Sequence, residues 1–383
     1  MKYLVFIGDG MADEGFSTPL MEAHTPNMDA LAKEGRTGLA YVTPPSLKPG
    51  SDVANMSILG YNPLDFYTGR GPLEAASIGI PMKDRDIAYR CNLVYIKDNK
   101  MADFTADHIS NEKAREIISL LNKKNTDKNF KFYPGVSYRN LLILNDTDGF
   151  LGETKTTPPH DIIGKDISSY LPQGPNGDLI CNIMNDSSKI SSELLPDCQV
   201  WLWGQGEMPS LPSFEEKFKI KGTVITAVDL IKGLGKIIGL RTPYIEGATG
   251  YYDTDYNAKA KMALDRLQED DFILVHVEAP DEAGHENNRL EKIRAIENFD
   301  KKIIGCIVEY LKKHKIDFRT LIMPDHPTPL QKMTHTSSPV PFILYGKGIT
   351  ADGSKLYNEH DINKECVIEE GWTLLDILIK AAQ

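Results

Sequence analysis

The stretch 271–285, DFILVHVEAPDEAGH, is an apolar run that leads directly into residue types that bind metals. Its apolar part, from Phe272 to Val277, has the length and β-branched content of a strand buried on both faces. In open α/β sheets, ligand sites gather just beyond the carboxyl ends of strands, where Asp281 and His285 fall. Their spacing places a carboxylate and an imidazole on one face of a helical turn. This pair suits a divalent transition metal such as manganese or zinc.

The same pattern, a predicted strand followed by a carboxylate, occurs twice more. A strand from Leu4 to Gly8 leads into Asp9, and another from Thr320 to Met323 leads into Asp325. Together with nearby imidazoles, the candidate ligands are Asp9, Asp281, His285, Asp325, His326 and His335. Six oxygen and nitrogen ligands suit two metal ions better than one. The alternative is that these residues are helix caps and hydrogen-bonded polar groups at strand ends.

Ser51 follows a loop rich in proline and glycine and begins a predicted helix, SDVANMSILG. A hydroxyl in this position can be a plain helix cap. It can also be a nucleophile, because free backbone amides at a helix N-terminus favour a phosphoryl group and a nearby metal activates the hydroxyl. The candidate metal ligands favour the second interpretation. Ser51 is therefore the predicted nucleophile and a further candidate metal ligand, whereas Ser57 lies inside the helix.

The chain of 383 residues is longer than one hydrophobic core usually supports, so two domains are expected. Alternating strands and helices in residues 1–82 and 199–383 predict an α/β core with a central, mostly parallel sheet flanked by helices. Residues 83–198 mix strands, helices and long loops, which predicts a smaller α+β domain inserted into that core.

Charge and cysteine content restrict the environment of the protein. The net charge of −11 argues against binding to nucleic acid or to an anionic membrane surface. The five cysteines are widely spaced and form no CxxC pair, which predicts free thiols in a reducing cytoplasm. The N-terminus lacks the features of a signal peptide, and no apolar run is long enough to span a membrane. A cytoplasmic location is expected, and no feature predicts the oligomeric state.

Taken together, the motifs resemble the alkaline phosphatase superfamily and, more narrowly, the archaeal-type cofactor-independent phosphoglycerate mutases. The resemblance covers essentially the whole chain. Its motifs, in order, are GDGMAD at 8–13, HTPNMDALA at 24–32, PGSDVANMSILGY at 49–61, GRGPLEA at 69–75, YRCNLV at 89–94, PGVSYRNLL at 134–142, PPHD at 158–161, WLWGQG at 201–206, DEAGH at 281–285, and PDHPTP with THTSSPVPF between 324 and 342.

The resemblance implies an alkaline-phosphatase-like core with two metal sites. The first would contain Asp281, His285 and His335, and the second Asp9, Asp325 and His326 together with Ser51. It further implies that 3-phosphoglycerate and 2-phosphoglycerate interconvert through a phosphoserine, as a step of glycolysis and gluconeogenesis, without 2,3-bisphosphoglycerate. Manganese is favoured for the two ions, and zinc, cobalt or magnesium is compatible with the same ligands. The inserted domain would cap the substrate and exclude water.

The implied substrate is a small phosphorylated acid, for which bidentate arginine contacts are expected. The arginines in or beside the matching motifs are Arg70, Arg90, Arg139 and Arg289. A surface salt bridge is the alternative for each of them. His160 is a candidate proton carrier or substrate contact, and Lys332 is a candidate phosphoryl contact or a solvated lysine. No role is predicted for His276.

Other functions fit the same predicted metal centre. A homoserine kinase-like phosphotransferase would need a nucleotide, but the sequence contains neither a GxxxxGK[ST] loop nor a GxGxxG after a strand. A phosphomonoesterase would leave the inserted domain open or lack it. A binding module without turnover would be expected to have lost the serine or some of the ligands.

Overall fold

The computed structural model describes residues 1–145, 149 and 151–380. These residues form two compact units. The larger unit comprises Met1–Tyr67 and the chain from Leu211 onward, and the smaller unit comprises Thr68–Ser210. No helix among the described residues is both long enough and apolar enough to cross a membrane.

Twelve strands and fourteen α-helices are assigned in the described residues. The strands are β1 (Lys2–Gly8), β2 (Arg36–Ala40), β3 (Asp86–Lys97), β4 (Lys100–Asp103), β5 (Phe130–Val136), β6 (Arg139–Asn145), β7 (Cys198–Glu207), β8 (Gly222–Ile225), β9 (Phe272–Val277), β10 (Phe318–Met323), β11 (Val340–Gly346) and β12 (Val367–Ile368). The helices are α1 (Pro19–Glu22), α2 (Pro26–Glu34), α3 (Ser51–Ile58), α4 (Pro63–Phe66), α5 (Arg70–Ser77), α6 (Asn111–Lys124), α7 (Gly177–Ser191), α8 (Phe214–Phe218), α9 (Asp229–Ile237), α10 (Tyr256–Arg266), α11 (Ala279–His285), α12 (Arg289–Asn298), α13 (Cys306–Lys313) and α14 (Leu374–Lys380).

The larger unit is built on a seven-stranded sheet in the order β12-β2-β11-β10-β1-β9-β8. Strand β1 runs parallel to both β9 and β10, β8 is parallel to β9, and β12 is parallel to β2. Only β11 runs antiparallel to its neighbours, β10 and β2. The α/β class with a mostly parallel sheet is therefore confirmed.

The three central strands of this sheet are almost entirely apolar and buried. Every residue of β9 and β10 is buried, as are the last five residues of β1. Strands lack polar alternation when both faces of a parallel sheet are covered. Because β1, β9 and β10 are parallel neighbours, with Ile7 level with both His276 and Met323, their carboxyl ends meet at one edge. This edge is where the sequence pattern places its carboxylates.

The isoleucines between residues 286 and 313 recur at helical spacing, which predicts one long helix, but the structure divides this region. Helix α11 ends at His285, and α12 begins after Asn288, whose side chain accepts a hydrogen bond from the Glu291 amide. A π-helical segment, Phe299–Gly305, separates α12 from α13. Within it, the buried Asp300 carboxylate accepts hydrogen bonds from the first turn of α2, including the Met28 amide at 2.7 Å. The isoleucine spacing indicated a helix but did not reveal this interruption.

The smaller unit contains a five-stranded antiparallel sheet. Strand β3 is paired with β4, β6 and β7, and β5 is paired with β6. Helices α6 and α7 supply apolar side chains to the same core as the sheet, and Trp201 and Trp203 of β7 are buried in it.

The boundaries of this unit differ from the predicted insertion at 83–198. Residues 199–207 were predicted to return to the α/β core, but they form β7, which pairs with β3 from Cys198 to Glu207. Helix α5 also belongs to the smaller unit. An apolar run such as QVWLWG predicts a buried strand without showing which sheet it joins. At the C-terminus, the sequence of residues 372–382 predicts a helix. Helix α14 begins at Leu374, and the last two residues of the predicted range lie outside the described part of the chain.

Candidate metal centre

The carboxyl-end edge of the larger sheet carries two groups of possible metal ligands. Asp281, His285 and His335 form the first cluster, and Asp9, Asp325 and His326 form the second cluster. Within each cluster, one ligand atom from each residue lies within 4.8 Å of the others. The structure thus brings together all six predicted ligands, in the two groups that the family resemblance implies.

In the first cluster, the Nε2 atoms of His285 and His335 lie close to each other and to the Asp281 carboxylate. His285 Nε2 lies 3.2 Å from Asp281 Oδ2 and 2.9 Å from His335 Nε2. His285 Nδ1 lies 3.0 Å from the carbonyl oxygen of Met333, to which it must donate because a carbonyl only accepts. A backbone partner of this kind orients a metal-binding imidazole and leaves Nε2 to face the ligand position.

In the first cluster, Asp281 and His285 shift each other's pKa values in opposite directions. Burial acts to raise the pKa of Asp281, but hydrogen bonds from His285 and His335 outweigh it and hold the pKa well below its usual range. Burial opposes the charge on His285, yet its hydrogen bond to Asp281 raises the pKa of the imidazole to about 9. The carboxylate is thus kept ionised and surrounded by imidazoles.

Backbone geometry permits the close approach of the two loops around Asp281. Gly10 has a φ of +59°, and a Cβ atom there would lie 2.4 Å from Asp281 Oδ1. A side chain at this position would therefore be strained and would collide with a ligand. Glycine at position 10 lets the segment after β1 pass directly beside the start of α11.

The second cluster is buried, and Ser51 lies beside it. His326 Nε2 is 3.4 Å from Asp9 Oδ1 and 3.7 Å from Asp325 Oδ2. Ser51 Oγ lies 3.2 Å from His326 Nε2 and 3.4 Å from Asp9 Oδ2. Asn55, one turn further along α3, donates to both the Ser51 carbonyl and Asp325 Oδ2 at 2.8 Å. The first turn of α3 is thereby tied to the cluster.

The residues of the second cluster fit a bound divalent cation. Asp9 Oδ1 is buried and has no hydrogen-bond partner among the described residues. Burial raises the pKa of Asp9 well above its usual value, and the neighbouring Asp325 carboxylate raises it further. A divalent cation between these carboxylates would give the unpartnered oxygen a ligand and offset the repulsion.

Contacts between the clusters make them one continuous site. The rings of His326 and His335 stack with their centroids 3.9 Å apart. The Thr328 hydroxyl donates to Asp281 and lies 3.2 Å from His326 Nδ1. This threonine contacts one residue of each cluster and was not predicted as a site residue.

Four of the six candidate substrate contacts lie in the smaller unit. The Arg90 guanidinium is 4.2 Å from the ring centroid of Trp203 and forms a 3.0 Å salt bridge with Glu74. His160 also contacts this indole, with ring centroids 5.3 Å apart. Burial lowers the pKa of Arg90, and the nearby cations Arg70 and Arg139 lower it further, although Glu74 opposes them. We call Arg70, Arg90, Arg139 and His160 the basic cluster.

The remaining candidates form salt bridges in the larger unit. Arg289 contacts Glu22 at 2.6 Å and also bonds to Ser17. Lys332 contacts Glu14 at 2.6 Å. The salt bridge of Arg289 is the alternative that the sequence left open for it, whereas the alternative for Lys332 was a solvated lysine.

His276 is a site residue that sequence reasoning missed. It is fully buried in β9, and its Nε2 lies 3.0 Å from Asp9 Oδ2. Burial lowers the pKa of His276 to about 4, so its ring is neutral. The sequence feature that could have identified it is its position: it is the one histidine in the apolar strand that precedes Asp281 and His285.

The chain is similar to known proteins of one family. A family model described as 2,3-bisphosphoglycerate-independent phosphoglycerate mutase matches residues 32–200. The chain is 44% identical to a 2,3-bisphosphoglycerate-independent phosphoglycerate mutase of Methanosarcina barkeri, with 100% of both chains covered. A probable enzyme of the same name from Geobacter sulfurreducens is 42% identical, with 99% of this chain and 100% of that protein covered.

Two solved structures are similar along the whole chain. The PH0037 protein from Pyrococcus horikoshii has a TM-score of 0.80 and 26% identity, covering 100% of this chain and 98% of that one. The cofactor-independent phosphoglycerate mutase from Thermoplasma acidophilum has a TM-score of 0.68 and 23% identity, covering 100% of both chains, and supports the fold. On its similarity to the curated relatives, the chain belongs to the family of 2,3-bisphosphoglycerate-independent phosphoglycerate mutases.

Proposed function

We propose that this protein interconverts 3-phosphoglycerate and 2-phosphoglycerate through a phosphoserine at Ser51. The observation that carries the proposal is the position of Ser51 Oγ, 3.2 Å from His326 Nε2 and 3.4 Å from Asp9 Oδ2. The hydroxyl is placed at the start of α3, where free amides and the helix dipole favour a phosphoryl group. The names of the whole-length relatives support a mutase over a homoserine kinase or a phosphomonoesterase.

Two divalent ions are part of this proposal. Asp281, His285 and His335 would hold one ion, and Asp9, Asp325 and His326 with Ser51 the other. Such ions neutralise charge on the phosphoryl oxygens and activate the serine hydroxyl. Manganese is the favoured metal, while zinc, cobalt or magnesium suits the same ligands.

The proposed reaction is two displacements at phosphorus. In the first, Ser51 Oγ loses its proton and forms a bond to phosphorus, while the bond to the substrate oxygen breaks and that oxygen takes a proton. The bound glycerate then presents its other hydroxyl, which loses a proton and attacks the phosphoserine. The Ser51 oxygen leaves and regains its proton. The phosphoryl group has moved between two hydroxyls, and 2,3-bisphosphoglycerate is not required.

Binding of the small phosphorylated acid is assigned to the basic cluster, with Arg289 as a fifth candidate. The planar guanidinium groups match the bidentate geometry of carboxylate and phosphate. His160 would contact the substrate or carry a proton. We propose the capping role for the smaller unit, because the phosphoserine must be kept from water if the enzyme is not to act as a phosphatase. A cytoplasmic location is proposed from the five cysteines, all of which are free.

The test is a coupled enolase assay on protein loaded with manganese, cobalt, zinc or magnesium and supplied with 3-phosphoglycerate. We expect 2-phosphoglycerate from the wild type and a loss of at least about a thousandfold in Ser51→Ala, because the nucleophile is removed. Ser57→Ala, in the last turn of α3, is the matched control. Intact-mass analysis of quenched wild type should show a phosphoryl group that Ser51→Ala lacks.

Two results would contradict the proposal. Activity that survives in Ser51→Ala would show that another group is the nucleophile. Wild type that converts no phosphoglycerate with any of the four metals, but phosphorylates homoserine from ATP, would assign the kinase function instead.

A further inference from the structure

His276 is an unused buried polar group at the back of the metal centre. It lies in β9 level with Ile7 of β1, one position before the strand ends. Its side chain is 0% exposed. Nε2 makes no hydrogen bond to any described residue, and a charged atom, Asp9 Oδ2, lies 3.0 Å from it. A polar ring in this apolar strand therefore requires an explanation beyond packing.

The other ring nitrogen has a defined partner. Nδ1 of His276 lies 3.3 Å from the hydroxyl of Thr226, which directly follows β8 and is 3% exposed. The backbone amide of Val228 donates to the same hydroxyl oxygen at 3.0 Å. A line of contacts thus runs from Val228 through Thr226 and His276 to Asp9, across three adjacent strands of the sheet.

The available donors determine the direction of this line. Since the Val228 amide can only donate, Thr226 Oγ1 accepts there and has one hydrogen left to donate to His276 Nδ1. An Nδ1 atom that accepts must belong to the tautomer with its proton on Nε2. The acceptor nearest to that proton is Asp9 Oδ2, which lies 3.0 Å from Nε2. A small rotation of the carboxylate or of the ring would let Nε2 donate to Asp9.

The two oxygens of Asp9 face different neighbours. Oδ2 lies 3.0 Å from His276 Nε2 and also accepts from Ser51 Oγ at 3.4 Å, whereas Oδ1 is buried without a hydrogen-bond partner and lies 3.4 Å from His326 Nε2 of the second cluster. Holding one carboxylate oxygen orients the other toward the metal position, and such supporting contacts tune the affinity of metal sites.

We propose that His276 is a positioning residue that holds Asp9 for metal binding, in the tautomer that Thr226 selects. The inference rests on the proposed function only in taking Asp9 as a metal ligand. It adds two residues to the site, neither of which the family motifs include. His276 acts through Asp9 and does not itself contact the metal or the substrate.

Metal affinity tests the inference directly, without substrate. Free Mn²⁺ is followed by electron paramagnetic resonance during titration of metal-free protein, in the wild type and in His335→Ala, where only the second cluster is complete. His276→Leu keeps the bulk and removes the donor, and it should weaken Mn²⁺ binding at the second cluster by about 10- to 100-fold. Affinity at the first cluster should not change. His276→Gln places an amide donor near the position of Nε2 and should restore most of the affinity.

Thr226→Val separates tautomer selection from simple packing. It should weaken second-cluster binding by about two- to tenfold, the value of one neutral hydrogen bond. In the His276→Gln background, which has no tautomer to select, the same substitution should have no effect. Thr320→Val is the matched control, because its buried hydroxyl in β10 has no hydrogen-bond partner among the described residues. It should leave Mn²⁺ affinity unchanged.

Several results would overturn the inference. The first is a His276→Leu variant that binds Mn²⁺ as tightly as the wild type. The second is a His276→Gln variant that binds Mn²⁺ as weakly as His276→Leu, since the imidazole ring itself would then be required. An equal loss from Thr226→Val in both backgrounds would show that Thr226 acts by another route. Wild type that binds two Mn²⁺ but lacks mutase activity would overturn the proposed function alone.

Discussion

His285 Nε2 and His335 Nε2 lie 2.9 Å apart in the first cluster. Both imidazoles also face the Asp281 carboxylate, at 3.2 Å and 3.5 Å. Two ring nitrogens this close repel each other unless a proton or a cation lies between them. A divalent cation bound to the first cluster would take the place of that proton.

Replacing His335 should remove one of two metal ions. We expect isothermal titration with Mn²⁺ to give a stoichiometry of two in wild type and one in His335→Ala, because the second cluster has its own ligands. His314→Ala is the control, since that exposed imidazole contacts the carbonyl oxygen and the ring of Tyr310 in α13 and belongs to neither cluster. An unchanged stoichiometry in His335→Ala would show that this histidine is not a ligand.

The buried Lys259 should make stability depend on pH. Burial lowers its pKa to about 8, and its ammonium donates to the carbonyl oxygen of His276 at 3.1 Å. The unfolded chain keeps a lysine pKa of about 10.4, so between about 8 and 10 it binds more protons than the folded state. Stability contributed by this group must therefore rise with pH across that window.

The test compares the pH dependence of stability in the wild type and in Lys259→Met. Urea unfolding of metal-free protein is measured at pH 7, 8, 9 and 10. The free energy of unfolding of the wild type should increase relative to that of the variant as the pH rises. Lys261→Met, an exposed position on the same helix, should follow the wild type at every pH. A constant difference between wild type and Lys259→Met would mean that the folded and unfolded pKa values of Lys259 are equal.

Arg90→Lys should impair substrate binding. Lysine cannot reproduce the flat contact of Arg90 with Trp203 or the bidentate geometry that suits a carboxylate. We expect KM for 3-phosphoglycerate to rise by about tenfold or more, the cost of one strong hydrogen bond to a charged group. Arg115→Lys, on an exposed position of α6, should behave as wild type in the coupled enolase assay. An unchanged KM in Arg90→Lys would remove this residue from the proposed substrate site.

Lys292 should be essential for stability. It is 0% exposed and contacts Asp13 at 3.1 Å, the Ala12 carbonyl oxygen at 3.2 Å and the Thr328 carbonyl oxygen at 2.7 Å. Lys292→Met would leave the Asp13 charge buried without its partner, at a cost of about 3 to 5 kcal/mol. Urea unfolding measures this loss of unfolding free energy. Lys301 is exposed, so Lys301→Met should change the free energy of unfolding little. A loss below about 1 kcal/mol would place the pair among weak surface salt bridges.

The two clusters of possible metal ligands were predictable because their three aspartates lie shortly after the ends of buried strands. Asp9, Asp281 and Asp325 come just after β1, β9 and β10, and the alignment of parallel strands brings their side chains together. Ser51 was predictable because a loop rich in breakers ends where its helix begins. Local sequence carries this information.

What the sequence did not reveal depends on partners distant along the chain. Nothing in the run QVWLWG specifies that β7 pairs with β3, so the predicted insertion was too short at both ends. His276 was missed for the same reason, since a histidine in an apolar strand resembles an ordinary core residue until Asp9 is placed beside it. The π-helical segment after α12 likewise depends on Asp300 reaching α2.

The pairing of β1 with β9 and β10 has a consequence for how the protein is made. Strand β1 lies at the N-terminus, whereas both of its neighbours come from the last third of the chain. During synthesis the first strand lacks both neighbours until β9 and then β10 have been made, and closing such long loops slows folding. Neither cluster can assemble before Asp325 and His335 have been made, so the proposed metal binding would come late in synthesis rather than on a short nascent chain.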